Sequence, residues 1–198
     1  MKSLTMLAAA TTLALAFAGP AQADPRQNPT ADYAADAVAK TQGQPDSTTK
    51  IWYTKDKVRV DVNHQGQVMS VIMDRPAKKM WVLMTKQKMF QEEALPEGEA
   101  ANPIASGAWE VVKAGEETVA GVATTKWTVS GKGADGRTFK GAIWTTKENI
   151  QVKMEGESED EGKKIKVVSE LQNLKIGPVD AKVFELPKDF KPAPGKKS

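Results

Sequence analysis

The chain has 198 residues, with 28 Lys and Arg against 25 Asp and Glu, a formal net charge of +3, one His and no Cys. Without cysteine, the sequence excludes a disulfide framework, a thiolate zinc site, an iron–sulfur cluster and a cysteine nucleophile. The nearly even charge balance argues against a dedicated nucleic-acid binder. Hydrophobic residues make up 40% of the chain and charged residues 27%, so we expect one globular domain.

The first 23 residues have the pattern of a secretory signal peptide. Lys2 supplies a positive charge, an apolar run with small residues follows over 7–18, and Ala21-Gln22-Ala23 matches an A-x-A cleavage site. The apolar run is shorter than the ~20 residues that span a bilayer, which favours cleavage over a membrane anchor. With no Cys to carry a lipid, we expect a mature chain that starts at Asp24, has no transmembrane span and is soluble in a bacterial periplasm.

The mature chain has the pattern of short strands separated by turns. Val58, Val60 and Val62 alternate with polar residues, which is typical of a half-buried strand. The same alternation recurs around Trp127, Ile143, Val152 and Ile165. Turn sequences such as Gln65-Gly66-Gln67 separate the runs. Short strands at a spacing of about 8–12 residues predict an antiparallel all-β domain.

One segment has a helical period. Asn102 is a good N-cap, Pro103 suits the first helical position, and Gly115 could end the helix. The apolar stripe of this helix would consist of Ile104, Ala105, Ala108, Trp109 and Val112. We therefore predict a helix over 103–113 with Trp109 packed on the sheet, although Gly107 inside it costs about 1 kcal/mol.

Two predicted strands are apolar on both faces. They are the runs 68–73, interrupted only by Ser70, and 80–84. An antiparallel strand with one face in water should alternate, so both faces of the sheet must be covered here. The lone helix covers one side. Three alternatives remain for what covers the other side: a sheet that curls over its own core, a bound apolar ligand, or a partner protein.

No catalytic or metal-binding constellation emerges, and we expect neither an enzyme nor a cofactor. The run 131–136 matches GxGxxG, but a predicted strand follows it where a dinucleotide site needs a helix. A catalytic Ser–His pair at His64 is not indicated, because no Ser stands in the strained-elbow pattern of a nucleophile. Thioethers are soft ligands for Cu(I), but Met69 and Met73 lie about 13 Å apart along one strand and cannot share an ion unless other strands supply more Met. We favour methionine as a core or cavity lining.

Four segments carry a resemblance to a known family: 75–84 with 87–90, 117–127, 141–157, and 184–187 with Phe190. In this order they resemble an exported bacterial family of unknown function that is similar to the LolA/LolB-like superfamily of outer-membrane lipoprotein carriers. The resemblance implies a mainly β domain over 24–190: a single curved antiparallel sheet, an open half-barrel, with one short helix as a lid over an apolar cavity. A flexible basic tail, 191–198, would follow. No catalytic residues come with the superfamily, and this chain lacks the long N-terminal helix of the true carriers.

The expected cavity combines the two-faced strands with the helix. Its predicted lining is Met69, Val71, Met73, Met80, Val82 and Met84 from the strands, and Ile104, Ala108 and Trp109 from the helix. Two functions remain open. One is a periplasmic carrier or binder of lipid, lipoprotein acyl chains or another apolar ligand, which a cavity of roughly 300–1,000 Å³ would favour. The other is an interaction module that docks an envelope protein or lipoprotein, which a flat exposed apolar patch would favour.

Overall fold

The computed structural model describes residues 23–64, 66–95, 104, 107–133, 136–160 and 162–194. Apart from Ala23, the predicted signal peptide lies outside these residues, as do 195–198 of the predicted tail. Within the described residues there are twelve strands: β1 Tyr33–Thr41, β2 Ser47–Tyr53, β3 Lys57–His64, β4 Gln67–Asp74, β5 Lys79–Met84, β6 Met89–Ala94, β7 Ala108–Val119, β8 Val122–Lys132, β9 Thr138–Thr145, β10 Gln151–Asp160, β11 Lys163–Ile176 and β12 Lys191–Pro192.

The strands form one open sheet built from two meanders that meet at β1. The order across the sheet is β12-β6-β5-β4-β3-β2-β1-β11-β10-β9-β8-β7. We call β2–β6 the first wing and β7–β11 the second wing. All pairs are antiparallel except β12 on β6, which is parallel. Because β7 and β12 stand at opposite ends of this order, the sheet is not closed, and the predicted mainly β fold with a single open antiparallel sheet is confirmed.

The strand register decides which side chains share a face of the sheet. Cross-strand partners in an antiparallel pair point the same way, and neighbours along one strand point to opposite faces. Met69 pairs with Met84 and Met73 with Met80. We call the side that carries these residues the methionine face. Followed through the pairings of the whole sheet, the methionine face continues to Val129 on β8.

Two buried clusters lie on the methionine face of the centre and the second wing. One surrounds Val129 and Ile143, which are both 0% exposed. The other contains Ala35 and Ala37 of β1 together with Val152 of β10. These strands therefore bury the methionine face, as their alternation predicts.

The last described segment of the chain covers the opposite face of the first wing. We call residues 178–192 the C-terminal strap. Its 3-10 helix, Ala181–Phe184, places Phe184, 7% exposed, against Ile72 and Leu83, which are 0% and 1% exposed. Nη1 of Arg59 donates a hydrogen bond to the Val183 carbonyl at 2.9 Å. The strap thus explains why β4 and β5 are apolar on both faces: one of the two faces is covered by this segment.

The predicted helix over 103–113 is wrong. Of these residues, 103, 105 and 106 lie outside the described part of the chain, and the segment from Ala108 onward is β7, paired with β8. Half-buried Trp109 and Val111 alternate with exposed Glu110 and Val112, so the same residues also fit a strand period. Gly107 has a φ of 113°, which is outside the helical region. The hydrogen bonds and side-chain contacts of the β7–β8 pair stabilise the strand more than a short helix with an interior glycine would be stabilised.

Candidate ligand-binding face

The structure brings the six strand residues of the predicted lining together. The three rows on the methionine face are Met69 with Met84, Val71 with Val82, and Met73 with Met80. β3 extends these rows with Val62, Val60 and Val58. Met69 is 50% exposed, and the other five strand residues of the predicted lining are half-buried. On the first wing, the methionine face is therefore an apolar surface that water partly reaches.

Methionine is confined to this face within the described residues. Met89 joins it as the partner of Met84 on β6, and Met154 joins it as the partner of Ile143 on β10. Every other described methionine belongs to the rows above. Because the methionine side chain is unbranched and its thioether is polarizable, it adapts to ligands of different shape. Such a surface suits the binding of variable apolar partners.

The three residues predicted to form a lid lie on the second wing. Ile104 and Trp109 pack with the cluster around Val129 and Ile143. Trp109 faces the methionine side through its partner Gly131, whereas Ala108 is exposed and points to the opposite face. Among the described residues these three do not form a helix, so the lid expected from them is a wrong prediction. Trp109 does pack on the sheet, as expected, but from a strand.

One end of the methionine face opens into a pocket. The pocket has a volume of about 460 Å³ and is lined by the β3–β4 turn, by Met69 and Met84, and by the β5–β6 turn. The pocket is partly open to solvent. A small apolar group could enter here without any change in the sheet.

The other end of the methionine face is aromatic and carries a cation. The rings of Tyr33 and Tyr53 stack with centroids 5.2 Å apart. Burial raises the pKa of Tyr33 to about 12, so its hydroxyl is neutral at physiological pH. The guanidinium of Arg75 lies 5.4 Å from the centre of the Tyr53 ring, a distance suited to cation–π attraction. The sequence pattern did not indicate these residues, although Arg75 follows Met73 at the strand spacing of two.

A charged cluster on the opposite face of the second wing is structural. The ring of Trp144, 2% exposed, lies between the amines of Lys126 and Lys153, which are 4.8 and 4.6 Å from its centre. Nε1 of Trp144 donates to Glu117 at 2.9 Å, and this hydrogen bond is the main reason why the pKa of Glu117 is lowered. Lys126 pairs with Glu117 at 3.0 Å and Lys153 with Glu155 at 2.7 Å, so each amine over the ring already has an acidic partner.

The fold and the apolar face define a class: an open antiparallel-sheet protein whose first wing carries aligned aliphatic and methionine side chains that the described residues leave partly exposed. Residues 38–155 match a family described as a domain of unknown function, DUF4412, and the chain belongs to this family. No curated protein matches the sequence. The prediction of a family of unknown function with one open antiparallel sheet is confirmed.

Solved structures share the fold at low sequence identity. An uncharacterized conserved protein from Thermus thermophilus has a TM-score of 0.56 and 11% identity, over 82% of this chain and 90% of that chain. MucB in its complex with MucA from Pseudomonas aeruginosa has a TM-score of 0.55 and 15% identity, over 83% of this chain and 58% of that chain. The likeness thus spans a little more than half of MucB. Within the described residues, no helix has the length and hydropathy of a membrane span.

Proposed function

We propose that this protein binds an apolar ligand, such as an acyl chain of a lipid or lipoprotein, on the methionine face of its first wing. The protein would act as a non-enzymatic carrier or binder. The observation that carries the proposal is the set of three aligned apolar rows on the face that the strap does not cover, ending in Met69 with half of its surface exposed.

The energetics favour a long chain over a small apolar molecule. Each methylene removed from water contributes about 0.8 kcal/mol, so ten buried methylenes contribute about 8 kcal/mol. Association itself costs at least about 4 kcal/mol. A ligand with only a few methylenes would therefore bind weakly, whereas an acyl chain that lies along the rows would bind well.

The periplasm is the proposed compartment, and the A-x-A pattern at Ala21-Gln22-Ala23 supports it. Protein recovered from the periplasm should begin at Asp24 when its N-terminus is sequenced. A soluble periplasmic protein that keeps residues 1–23 would contradict the proposal.

The binding test is a titration of folded, delipidated protein with a fluorescent fatty acid. Saturable binding is expected, followed by the fluorescence of the probe. Val82→Asp should abolish it, because the carboxylate would lie in the central row of the face. Val112→Asp is the matched control, since Val112 is 53% exposed on β7 and points to the opposite face. Absence of saturable binding, or equal loss in the two folded variants, would refute the proposal.

A second candidate function is docking of an envelope protein on the same open sheet. It is supported by MucB, which shares the fold and has been crystallised in complex with MucA. Native mass spectrometry of protein purified from the periplasm separates the two functions. A mass increment that lipid extraction removes supports the apolar ligand, whereas a bound polypeptide of fixed stoichiometry supports docking.

A further inference from the structure

Arg75 stands at the aromatic end of the methionine face and is held there by main-chain oxygens. Its Nη1 donates to the carbonyls of Thr54 and Lys55 at 3.3 and 2.9 Å. The guanidinium lies over the Tyr53 ring, and the side chain is half-buried. These contacts fix the plane and position of the charge without using its whole hydrogen-bonding capacity, since a guanidinium carries five N–H donors.

The Nε–Nη2 edge of Arg75 distinguishes it from two other arginines. Arg59 gives this edge to Asp61, with distances of 2.8 and 3.0 Å. Arg26 gives the same edge to Asp24, at 3.0 and 2.9 Å. For Arg75, no acceptor or ion-pair partner of that edge is found among the described residues. A planar edge with two parallel donors is the geometry that binds a carboxylate in a bidentate manner.

The charges around Arg75 do not satisfy that edge. Asp74, its neighbour in sequence, forms an ion pair with Lys57 at 2.9 Å. Asp32 acts electrostatically on Tyr53 and forms no ion pair with Arg75. Tyr33 and Tyr53 are neutral at physiological pH, because burial raises the pKa of each hydroxyl. Arg75 is thus a half-buried cation next to neutral aromatic rings, where an anion is attracted more strongly than in open water. The Asp32 carboxylate, which acts on Tyr53, opposes this attraction in part.

We infer that Arg75 binds the carboxylate head group of a single-chain amphiphile whose hydrocarbon chain lies along the methionine face. The inference rests on the proposed function and adds the chemical class of the ligand, a fatty acid or a fatty-acid-like anion. The head group would sit on the Nε–Nη2 edge, beside Met73. From there to Met69 the face runs four residues along β4, about 13 Å at 3.3 Å per residue, and then reaches the open pocket near Met84.

The experiment compares two ligands that differ only in the head group. Isothermal titration of the mature protein with dodecanoate and with 1-dodecanol separates the contribution of the charge from that of the chain. Dodecanoate is expected to bind at least about tenfold more tightly, because a hydrogen bond to a charged group contributes more than a neutral one. Arg75→Gln should remove this preference and leave the affinity for dodecanol unchanged.

A matched control tests whether position or net charge matters. Lys55 is exposed, and its main-chain carbonyl accepts a hydrogen bond from Arg75. Lys55→Gln removes one positive charge next to Arg75, keeps this carbonyl, and should keep the preference for dodecanoate. Arg75→Lys, which keeps the charge but loses the planar edge, should show an intermediate preference.

The outcomes separate this inference from the proposed function. Equal affinity for dodecanoate and dodecanol in the wild-type protein, or a preference that survives Arg75→Gln, would overturn the role of Arg75 and leave apolar binding intact. An equal loss in Lys55→Gln would also overturn it, because a general charge effect would then suffice. Failure of both ligands to bind would overturn the proposed function and this inference together.

Discussion

Truncation of Phe184 tests whether the C-terminal strap is part of the core. Phe184 is 7% exposed and covers Ile72 and Leu83, which water does not reach. Replacing a buried Phe by Ala costs about 3–5 kcal/mol, through the lost burial and the cavity that remains. We expect about 3 kcal/mol, the lower end, because the strap lies on the outside of the sheet and can partly collapse onto the gap.

The assay is equilibrium unfolding in urea together with thermal unfolding. At about 2–4 °C per kcal/mol for a chain of this size, Phe184→Ala should lower Tm by about 6–12 °C. Val112→Thr is the control: this side chain is 53% exposed, the substitution keeps the branched Cβ, and its effect should stay within about 0.5 kcal/mol. A loss below about 1 kcal/mol for Phe184→Ala would show that the strap does not seal Ile72 and Leu83.

Two further predictions concern a backbone contact and an ion pair. Gly131→Ala should cost about 3 kcal/mol or more, because its Cβ would lie 2.1 Å from a main-chain oxygen of β7. Gly43→Ala, where φ is also positive (78° against 155° at Gly131) but nothing lies within 4 Å, should cost only the backbone strain of about 1–2 kcal/mol; equal losses in urea unfolding would argue against the β7–β8 approach. The hydrogen bond from Lys57, followed by one from a main-chain amide, lowers the pKa of Asp74. Stability from a lowered carboxyl pKa is present above the unfolded value of about 3.9 and is lost as the pH falls through the folded value. Asp74→Asn should therefore lower Tm at pH 7, and its Tm should converge with that of the wild-type protein in acid; a constant difference from pH 7 to pH 2.5 would contradict this assignment.

Strand alternation was sufficient to predict an antiparallel sheet and the strand residues of its apolar face, but not β7. Val58, Val60 and Val62 share a face because the side-chain period of a strand is two, and this holds whatever the tertiary structure. The grouping of Met69 with Met84 required only that the two runs pair in the register that aligns their apolar positions. Register of this kind is strongly specified where a face is buried.

The lid and the strap could not be predicted for different physical reasons. Around Trp109 the residues fit both a helical stripe and a strand, and the pairing of β7 with β8 decides between them, which is a tertiary effect. The strap has no strand or α-helical period: Phe184 reaches the core from a 3-10 turn, and Val179 and Phe190 reach it from irregular backbone. Their positions follow from the shape of the sheet they cover. Arg75 was missed because its contact with the Tyr53 ring joins two turns and strands, which sequence spacing does not reveal.

The strand order of the sheet limits the order in which parts of the chain can fold. Each wing is a meander of neighbouring strands, so its own contacts are local and can form quickly. The junction is different: Asp36 and Asn173, which bond across β1 and β11, are 137 residues apart in the chain. During synthesis, Ile72 and Leu83 emerge well before Phe184, so they stay exposed until Phe184 has been synthesised and packs on them. Until then the first wing presents apolar surface to other chains, and aggregation competes with completion of the fold. A chain that ends before the strap would keep that surface permanently.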